Sequence, residues 1–248
     1  MFFDILGCGH FGSRAVLRLL HKDPLPNITV VDHDPVPLQG ISQLPIKTIV
    51  GDGQAYLGRL FSEGEWPDYI IPAVPYHLAF EFILASLKPL GAKRVRIPPL
   101  QGLPNPMMGK MGDLYTSLAD FLCPEDCPEP SQYCTVTGEK RQKPLFKILR
   151  ELEGPFDSKV IRSQQLGSGI GGFRPEAIVN LIETIKKRRG LNRPFLISTA
   201  CRCHGVTSAL SFYQVAEKVI SPRLLKNAQM QGPRNPEECG VLGRTPQR

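Results

Sequence analysis

The chain has 248 residues, of which 42% are hydrophobic and 21% are charged, and this composition excludes intrinsic disorder of the chain as a whole. No apolar run approaches the roughly 18 residues that a membrane-spanning helix requires, so we expect a cytoplasmic protein with no membrane span. The formal net charge is +7, and residues 121–248 carry it, with 20 basic against 12 acidic residues. This excess predicts an anionic partner and leaves open a phosphate-bearing cofactor, an acidic small molecule and a nucleic acid backbone.

The first hundred residues alternate short β-branched runs with helical patterns, as parallel strands joined by crossover helices do. Apolar residues recur at helical spacing between the first and second β-branched runs, and again between the fourth and the fifth. We expect the helices to cover the faces of one parallel sheet. The predicted strands lie at residues 2–6, 28–31, 47–50, 69–74 and 94–97.

Seven of the fifteen residues at 98–112 are Pro or Gly, which neither a helix nor a central strand tolerates, and we place a domain boundary there. The elements predicted beyond it are a helix at 113–122, a cysteine-bearing loop, a strand at 159–166, a helix from Pro175, a strand at 194–199 and a last helix after Gly205. The predicted fold class is α/β, with a Rossmann-like parallel sheet followed by a smaller α/β domain with Cys-rich loops. The predicted bounds are 1–99 and 113–226, with a flexible tail at 227–248.

A glycine-rich loop, GCGHFG at residues 7–12, follows the first predicted strand and opens a helix. In a dinucleotide-binding loop, Gly7 would permit the tight turn, Gly9 would let the backbone approach a diphosphate, and Gly12 would let helix and strand pack closely. Asp32 ends the next strand, where its carboxylate would bind the adenine-side ribose and repel a 2′-phosphate, which predicts NAD over NADP. The same glycines would also fit a tight turn that binds no cofactor. The predicted cofactor-binding residues are Gly7, Gly9, His10, Phe11, Gly12 and Asp32.

Residues 1 to about 90 resemble the Rossmann-type NAD-binding domains of potassium-uptake regulators and, more loosely, the cofactor domains of saccharopine dehydrogenase-like proteins. The resemblance is carried by GCGHFG at 7–12, VVDHDP at 30–35, VGDG at 50–53 and PDYIIPAVP at 67–75. It implies a Rossmann fold that binds NAD. By this resemblance alone, Asp52 is expected to contact the adenosine.

The loop after the fourth predicted strand should emerge at the carboxyl edge of the sheet, where open α/β folds bind their ligands. Tyr76 and His77 lie in this loop, and His77 is a candidate catalytic proton donor beside a bound nicotinamide. The alternative is that His77 is a polar residue in the first turn of its helix.

Five of the seven cysteines fall in two groups, a C-x3-C-x6-C array at residues 123–134 and a C-x-C pair at residues 201–203. Thiolates that bind a metal are one way to order a loop with few apolar residues, and both zinc and an iron-sulfur cluster take four such ligands. The alternatives are catalytic or redox thiols, for which we single out Cys201 and Cys203, and structural cysteines. The predicted metal ligands are Cys123, Cys127, Cys134, Cys201 and Cys203.

A second glycine-rich stretch at residues 167–172 could form an anion-binding nest, with Arg174 nearby, or a plain connection. The basic run at 186–189 is typical of a solvated helix end, and no aromatic-interleaved basic motif favours nucleic acid.

Together these features predict an NAD-dependent oxidoreductase in which the nicotinamide lies next to a cysteine or metal centre in the second domain. Its expected partner is an anionic small-molecule substrate, and a homodimer is left open. The alternatives are a non-catalytic NAD sensor that contacts a partner protein and, less favoured, a zinc-stabilised nucleic acid binder.

Overall fold

A computed structural model describes residues 1–212 of the chain. It begins with a four-stranded parallel sheet in the order β3-β2-β1-β4. The strands are β1 (Phe2–Leu6), β2 (Asn27–Asp32), β3 (Lys47–Val50) and β4 (Tyr69–Pro72). The helices of this part are α1 (His10–Leu19), α2 (Pro35–Gln39), α3 (Gly53–Glu63) and α4 (Leu78–Leu87).

Alternate residues of the parallel strands face opposite sides of the sheet. On one side, Phe3 and Ile5 of β1 pack with Val16 and Leu19 of α1. On the other side, Leu6 lies in a second core cluster with α3 and α4. The predicted parallel sheet with helices on its faces is therefore confirmed for its first four strands.

The second half builds a mixed sheet in the order β6-β7-β12-β11-β8, with β5 also paired to β12. Only β8 and β11 in this sheet run parallel to each other. Its strands are β5 (Lys93–Val95), β6 (Met107–Met108), β7 (Leu114–Ser117), β8 (Asp157–Arg162), β11 (Phe195–Ala200) and β12 (His204–Ser211). The remaining elements are α5 (Leu145–Arg150), the hairpin of β9 (Gln164–Gly167) and β10 (Ile170–Gly172), and α6 (Pro175–Arg188).

Three of the predicted elements are wrong. The fifth strand does not extend the parallel sheet, because β5 pairs antiparallel with β12. The helix predicted at 113–122 and the helix predicted after Gly205 are both strands, β7 and β12, which pair with each other along Leu114–Ser117. These segments carry no strong local preference for helix or strand, so pairing with strands far away in sequence determines their conformation.

Phe173 joins the two halves of the structure. Its backbone forms two hydrogen bonds with Ile70 of β4, at 2.9 and 3.0 Å. They lie on the edge of β4 that is not paired with β1. Its buried ring lies in one core cluster with Phe80 of α4, Ile182 of α6 and Phe195 of β11. The predicted domain bounds of 1–99 and 113–226 stay predictions, and the predicted tail at 227–248 lies outside the described residues.

Within residues 1–212, no helix has the length and apolar character needed to cross a membrane. The structure is thus a mixed α/β fold with a parallel sheet of four strands and further sheets.

Replacing Phe173 by Ala should lower the free energy of unfolding by about 3–5 kcal/mol, because a fully buried ring is lost where the two sheets meet. Phe11→Ala removes a ring that is 64% exposed and should change stability by less than about 0.5 kcal/mol. Urea denaturation of both variants measures the difference. Equal stabilities would contradict the joining role of Phe173.

Candidate functional site

The glycine loop forms a tight turn between β1 and α1. Gly7 has a φ of +105° and donates its N–H to Val31 O at 2.8 Å. A Cβ at Gly7 would overlap the carbonyl of Ala73, and a Cβ at Gly12 would overlap the carbonyl of Gly7. Both glycines are therefore required by the protein's own backbone, as predicted for a close strand-to-helix turn.

Gly9 differs from these two glycines because nothing in the protein requires it. Its φ of −68° suits any residue, and a Cβ there would meet no atom within 4 Å. It precedes α1, whose first-turn amides, including those of His10 and Phe11, have no acceptor within the helix. The loop thus leaves open space beside a cluster of backbone donors.

Asp32 fastens the end of β2 to this loop. Its Oδ2 accepts the N–H of Cys8 at 2.6 Å, and its Oδ1 accepts the N–H of Asp34 at 2.9 Å. His33 Nδ1 lies 3.2 Å from Oδ1. A carboxylate has about four acceptor positions, so Asp32 keeps capacity for a further donor beside the glycine loop.

Asp52 caps the next helix on the same edge. Its Oδ1 accepts the N–H of Ala55 at 2.8 Å at the start of α3, and its side chain is otherwise exposed. Tyr76 lies nearby: a Cβ at Gly53 would stand 3.9 Å from its hydroxyl. Burial and the Asp52 charge raise the pKa of Tyr76, so this hydroxyl stays protonated at neutral pH.

Exposed apolar side chains stand at the carboxyl edge of the parallel sheet. Phe11 is 64% exposed, Val36 is 66% exposed, and Val50, the last residue of β3, is 61% exposed. Such side chains can supply the walls that a planar base requires.

His77 is buried, with only 3% of its surface exposed, and both ring nitrogens have partners. Nδ1 lies 2.8 Å from Ser208 Oγ, and Nε2 lies 2.8 Å from Thr199 Oγ1. Because Ser208 donates its only proton to Asp113, it must accept from Nδ1–H, which fixes the tautomer. Burial lowers the pKa of His77 to about 3, so the ring is neutral. This placement disfavours the predicted catalytic role, and the alternative of a helix-start residue fits the site, since His77 precedes α4.

The polar network around His77 continues to the surface of the second sheet. Asp113 forms an ion pair with Arg94 at 2.8 Å, and Arg94 also pairs with Glu81 of α4. The network therefore ties α4 to β5, β11 and β12 rather than serving the glycine loop.

The predicted metal ligands lie in two segments, the loop between β7 and α5 and the turn between β11 and β12. They divide by surroundings. Cys123, Cys127, Cys134 and Cys203 lie within electrostatic range of Arg141, whose guanidinium contacts Cys203 Sγ. Cys201 interacts with Glu129, as Cys203 also does, and lies 3.9 Å from His204 Nδ1.

Two of these thiols accept backbone hydrogen bonds in the same pattern. Cys134 accepts from the N–H groups two and three residues later, those of Val136 and Thr137, and these bonds lower the pKa of its thiol. Cys201 likewise accepts from Cys203 N at 3.4 Å and His204 N at 3.3 Å. Burial and Glu129 nevertheless raise the pKa of Cys201 to about 12. Across residues 1–212, no group of three or more Cys, His, Asp or Glu side chains is already arranged around a metal position.

Glu125 connects the cysteine loop to the glycine loop, a contact that no sequence pattern predicted. Its Oε1 lies 3.0 Å from His10 Nε2, and its Oε2 pairs with Arg14. Its carbonyl accepts from Arg18 Nη1 at 3.2 Å. In the sequence, the one signal for a role of Glu125 is its position between Cys123 and Cys127.

The second glycine stretch forms the turn of the β9–β10 hairpin. Gly169 has a φ of +70° and donates its N–H to Cys127 O at 3.0 Å, so this one amide has a partner within the protein, and the anion-binding nest stays a prediction. Arg174 lies over the ring of Tyr69, 5.2 Å from its centroid. The hairpin supports the cysteine loop.

Residues 79–213, more than half of the chain, match the family AF_1314_C, described as "Uncharacterized protein, C-terminal domain". The chain belongs to this family. The AF_1314_C segment begins in α4 and includes both groups of cysteines, whereas the glycine loop precedes it. A protein of Archaeoglobus fulgidus, named "Uncharacterized protein", is 29% identical over 226 residues, which cover 83% of this chain and 97% of that protein.

His77 should make folding sensitive to acid. The pKa of His77 is about 3 in the folded protein, against an ordinary value of 6.5 in the unfolded chain. Below pH 6.5 the unfolded chain therefore binds a proton that the folded protein does not bind. Between about pH 6 and pH 4, the wild type should lose about 1.4 kcal/mol of stability per pH unit more than His77→Gln does. Denaturation at several pH values measures this, and exposed His21→Gln should match the wild type. Parallel profiles for the wild type and His77→Gln would refute the assignment.

Proposed function

We propose that this protein binds NAD(H) at the glycine loop and transfers hydride or electrons between the nicotinamide and an anionic small molecule. The observation that carries the proposal is Gly9, a glycine whose side-chain position is empty space next to unpaired helix amides. Neither its φ nor its packing explains the residue, whereas a diphosphate resting on the backbone does.

The surroundings of the loop support a complete dinucleotide site of the Rossmann type. The parallel sheet brings Gly9, Asp32, Val50 and Asp52 to one edge, because each lies at or just after the carboxyl end of its strand. The diphosphate would rest on the start of α1, the ribose hydroxyls would donate to Asp32, and the base would lie between the exposed apolar side chains. The carboxylate of Asp32 favours NAD over NADP because it would repel a 2′-phosphate.

In the reaction, NADH would give a hydride, two electrons and one proton, to the acceptor, and the solvent or a side chain would supply the second proton. Tyr76, whose protonated hydroxyl lies close to Gly53 at the start of α3, can take this role, whereas His77 is enclosed. The substrate-side groups predicted from the sequence, Cys201 and Cys203, lie in the β11–β12 turn. The net charge of +8 on residues 121–248 supports an anionic acceptor.

Substitution of Gly9 tests the proposal. Gly9→Val should fold as the wild type does but bind NADH at least tenfold more weakly, about 1.4 kcal/mol, because the side chain fills the position of the diphosphate. Gly58→Ala, in the exposed middle of α3 with equal free space around it, is the matched control and should keep wild-type affinity. Calorimetry or NADH fluorescence measures both. A wild type that binds no nicotinamide nucleotide, or prefers NADPH, would overturn the assignment.

The contacts of Glu125 favour a second candidate, an NAD sensor without turnover. Because Glu125 links His10 and Arg14 to the cysteine loop, a dinucleotide that draws these side chains to its phosphates would release that loop. The sensor predicts tight binding and no NADH consumption with any acceptor. The oxidoreductase predicts consumption that stops in Gly9→Val.

Glu125 should also oppose the binding of a diphosphate. Removing its charge in Glu125→Gln should tighten NADH binding two- to fivefold at low salt, because an exposed carboxylate near the start of α1 repels the phosphates and occupies Arg14. Asp126→Asn changes the neighbouring charge and should have a smaller effect. Titrations at two salt concentrations measure this. Weaker binding by Glu125→Gln would show that its carboxylate helps to hold the cofactor.

A further inference from the structure

The loop that bears Cys123, Cys127 and Cys134 has no hydrophobic core of its own. None of the 27 residues at 118–144 is buried, and Leu122 is 97% exposed. Ordered segments of this length without buried side chains require another source of stability. Hydrogen bonds within the loop form the short turn at 132–141, and a 3.9 Å contact between Cys127 Sγ and Thr135 Oγ1 brings Cys127 close to this turn, which contains Cys134.

Both ends of this loop are fixed to the turn that carries Cys203. At the start, Leu118 donates its N–H to Cys203 O at 2.8 Å. At the end, Leu145 donates its N–H to Arg202 O at 2.7 Å. A loop closed on this turn brings its thiols toward a cysteine that lies far away in sequence. The three loop cysteines and Cys203 therefore share one region of the fold, and a metal ion would have to draw their sulfur atoms together.

Arg141 connects Cys203 with the cysteine loop. Its guanidinium contacts Cys203 Sγ, and its Nε donates to Tyr133 O at 2.9 Å. The charges of Cys123, Cys127 and Cys134 lie within electrostatic range of the same guanidinium. Arg141 therefore places a positive charge beside the cysteines, which is the charge that a thiolate-bound metal ion would supply.

Cys201 does not belong to this group. Its sulfur accepts two backbone N–H groups of its own turn and faces Glu129, and no interaction with the loop cysteines involves it. The loop cysteines and Cys203 thus supply four thiols, the number of ligands of a tetrahedral site, while the sulfur of Cys201 is hydrogen-bonded within its own turn.

We propose that a single Zn²⁺ ion is bound by four thiolates, those of Cys123, Cys127, Cys134 and Cys203. Binding releases the four thiol protons and creates a centre with a net charge of −2. On binding, the four sulfur atoms close on the ion and Arg141 leaves Cys203 Sγ for their outer side, where its charge halves that of the centre. The ion supplies the stability that the loop lacks. This inference does not rest on the proposed function, because zinc binding does not require NAD.

The test measures zinc in the full-length protein by elemental analysis and by competition with a chromophoric chelator. We expect one zinc per chain in the wild type and at least a hundredfold weaker binding in Cys134→Ser and Cys203→Ser. Cys201→Ser should retain one zinc and is the matched control, since it lies two residues from Cys203. Co²⁺ in place of Zn²⁺ should give the intense visible bands of a tetrahedral tetrathiolate site.

A second measurement keeps the test independent of folding defects in the variants. Zinc should protect the wild-type loop from trypsin at Lys140 and Arg141, and chelation should expose these sites while NADH affinity stays within twofold. Absence of zinc, equal metal loss in Cys201→Ser and Cys203→Ser, or a brown protein with iron and sulfide would overturn the proposal. Failure of NADH binding alone would leave the zinc result unchanged and would refute only the proposed function.

Discussion

The close approach of helix α1 to the end of strand β1 is the constraint on which the candidate site depends. Gly12 lies so near the carbonyl of Gly7 that a single methyl group would force the helix away. Asp32 holds the other side of the loop through the N–H of Cys8, so the turn is fixed from two directions. These contacts of the protein with itself hold the first-turn amides of α1 beside Gly9, and such preorganisation is what an anion site requires.

The parts of the fold that the sequence predicted well are those that local periodicity determines. Strands β1 to β4 are short β-branched runs, and α6 begins at Pro175 with an apolar face at helical spacing, as expected. Strands β7 and β12 were predicted as helices because neither has a decisive pattern alone. The pairing of Thr116 with Gly205 makes both of them strands, and a contact between residues so distant in sequence leaves no local signal.

In the candidate site, too, local sequence patterns were predictable and contacts between distant residues were not. The spacing of the three glycines and Asp32 is a local pattern, and the structure places all four at one turn. The prediction for His77 came from its position after β4, at the edge expected to bind the cofactor, whereas its ring is buried against Ser208 of β12 and Thr199 of β11. Arg141 could not be predicted, since only the folded loop brings it among cysteines from two segments.

The contacts of α4 account for the end of the parallel sheet after four strands. The matched segment begins at residue 79, inside α4, and this helix buries Phe80 and Ile83 in the core that it shares with α6 and β11. In a longer doubly wound sheet, the helix after β4 would return the chain to a fifth parallel strand. Here it returns the chain to β5, beside β12. The helix thus belongs to both halves, and the buried network from His77 to Glu81 holds it in that position.

Contacts between the cysteine loop and helix α1 link the two proposed sites. The cysteine loop is anchored at both ends to the β11–β12 turn, yet Glu125, at its far side, rests on His10 and Arg14 of α1. Coupling between two binding sites is reciprocal: if a dinucleotide displaces Glu125 from α1, then whatever orders the cysteine loop must change dinucleotide affinity by the same factor. A zinc ion that fixes Cys123 and Cys127 would hold Glu125 in place between them. Metal occupancy would then weaken dinucleotide binding only modestly, because the two contacts in question are exposed ion pairs.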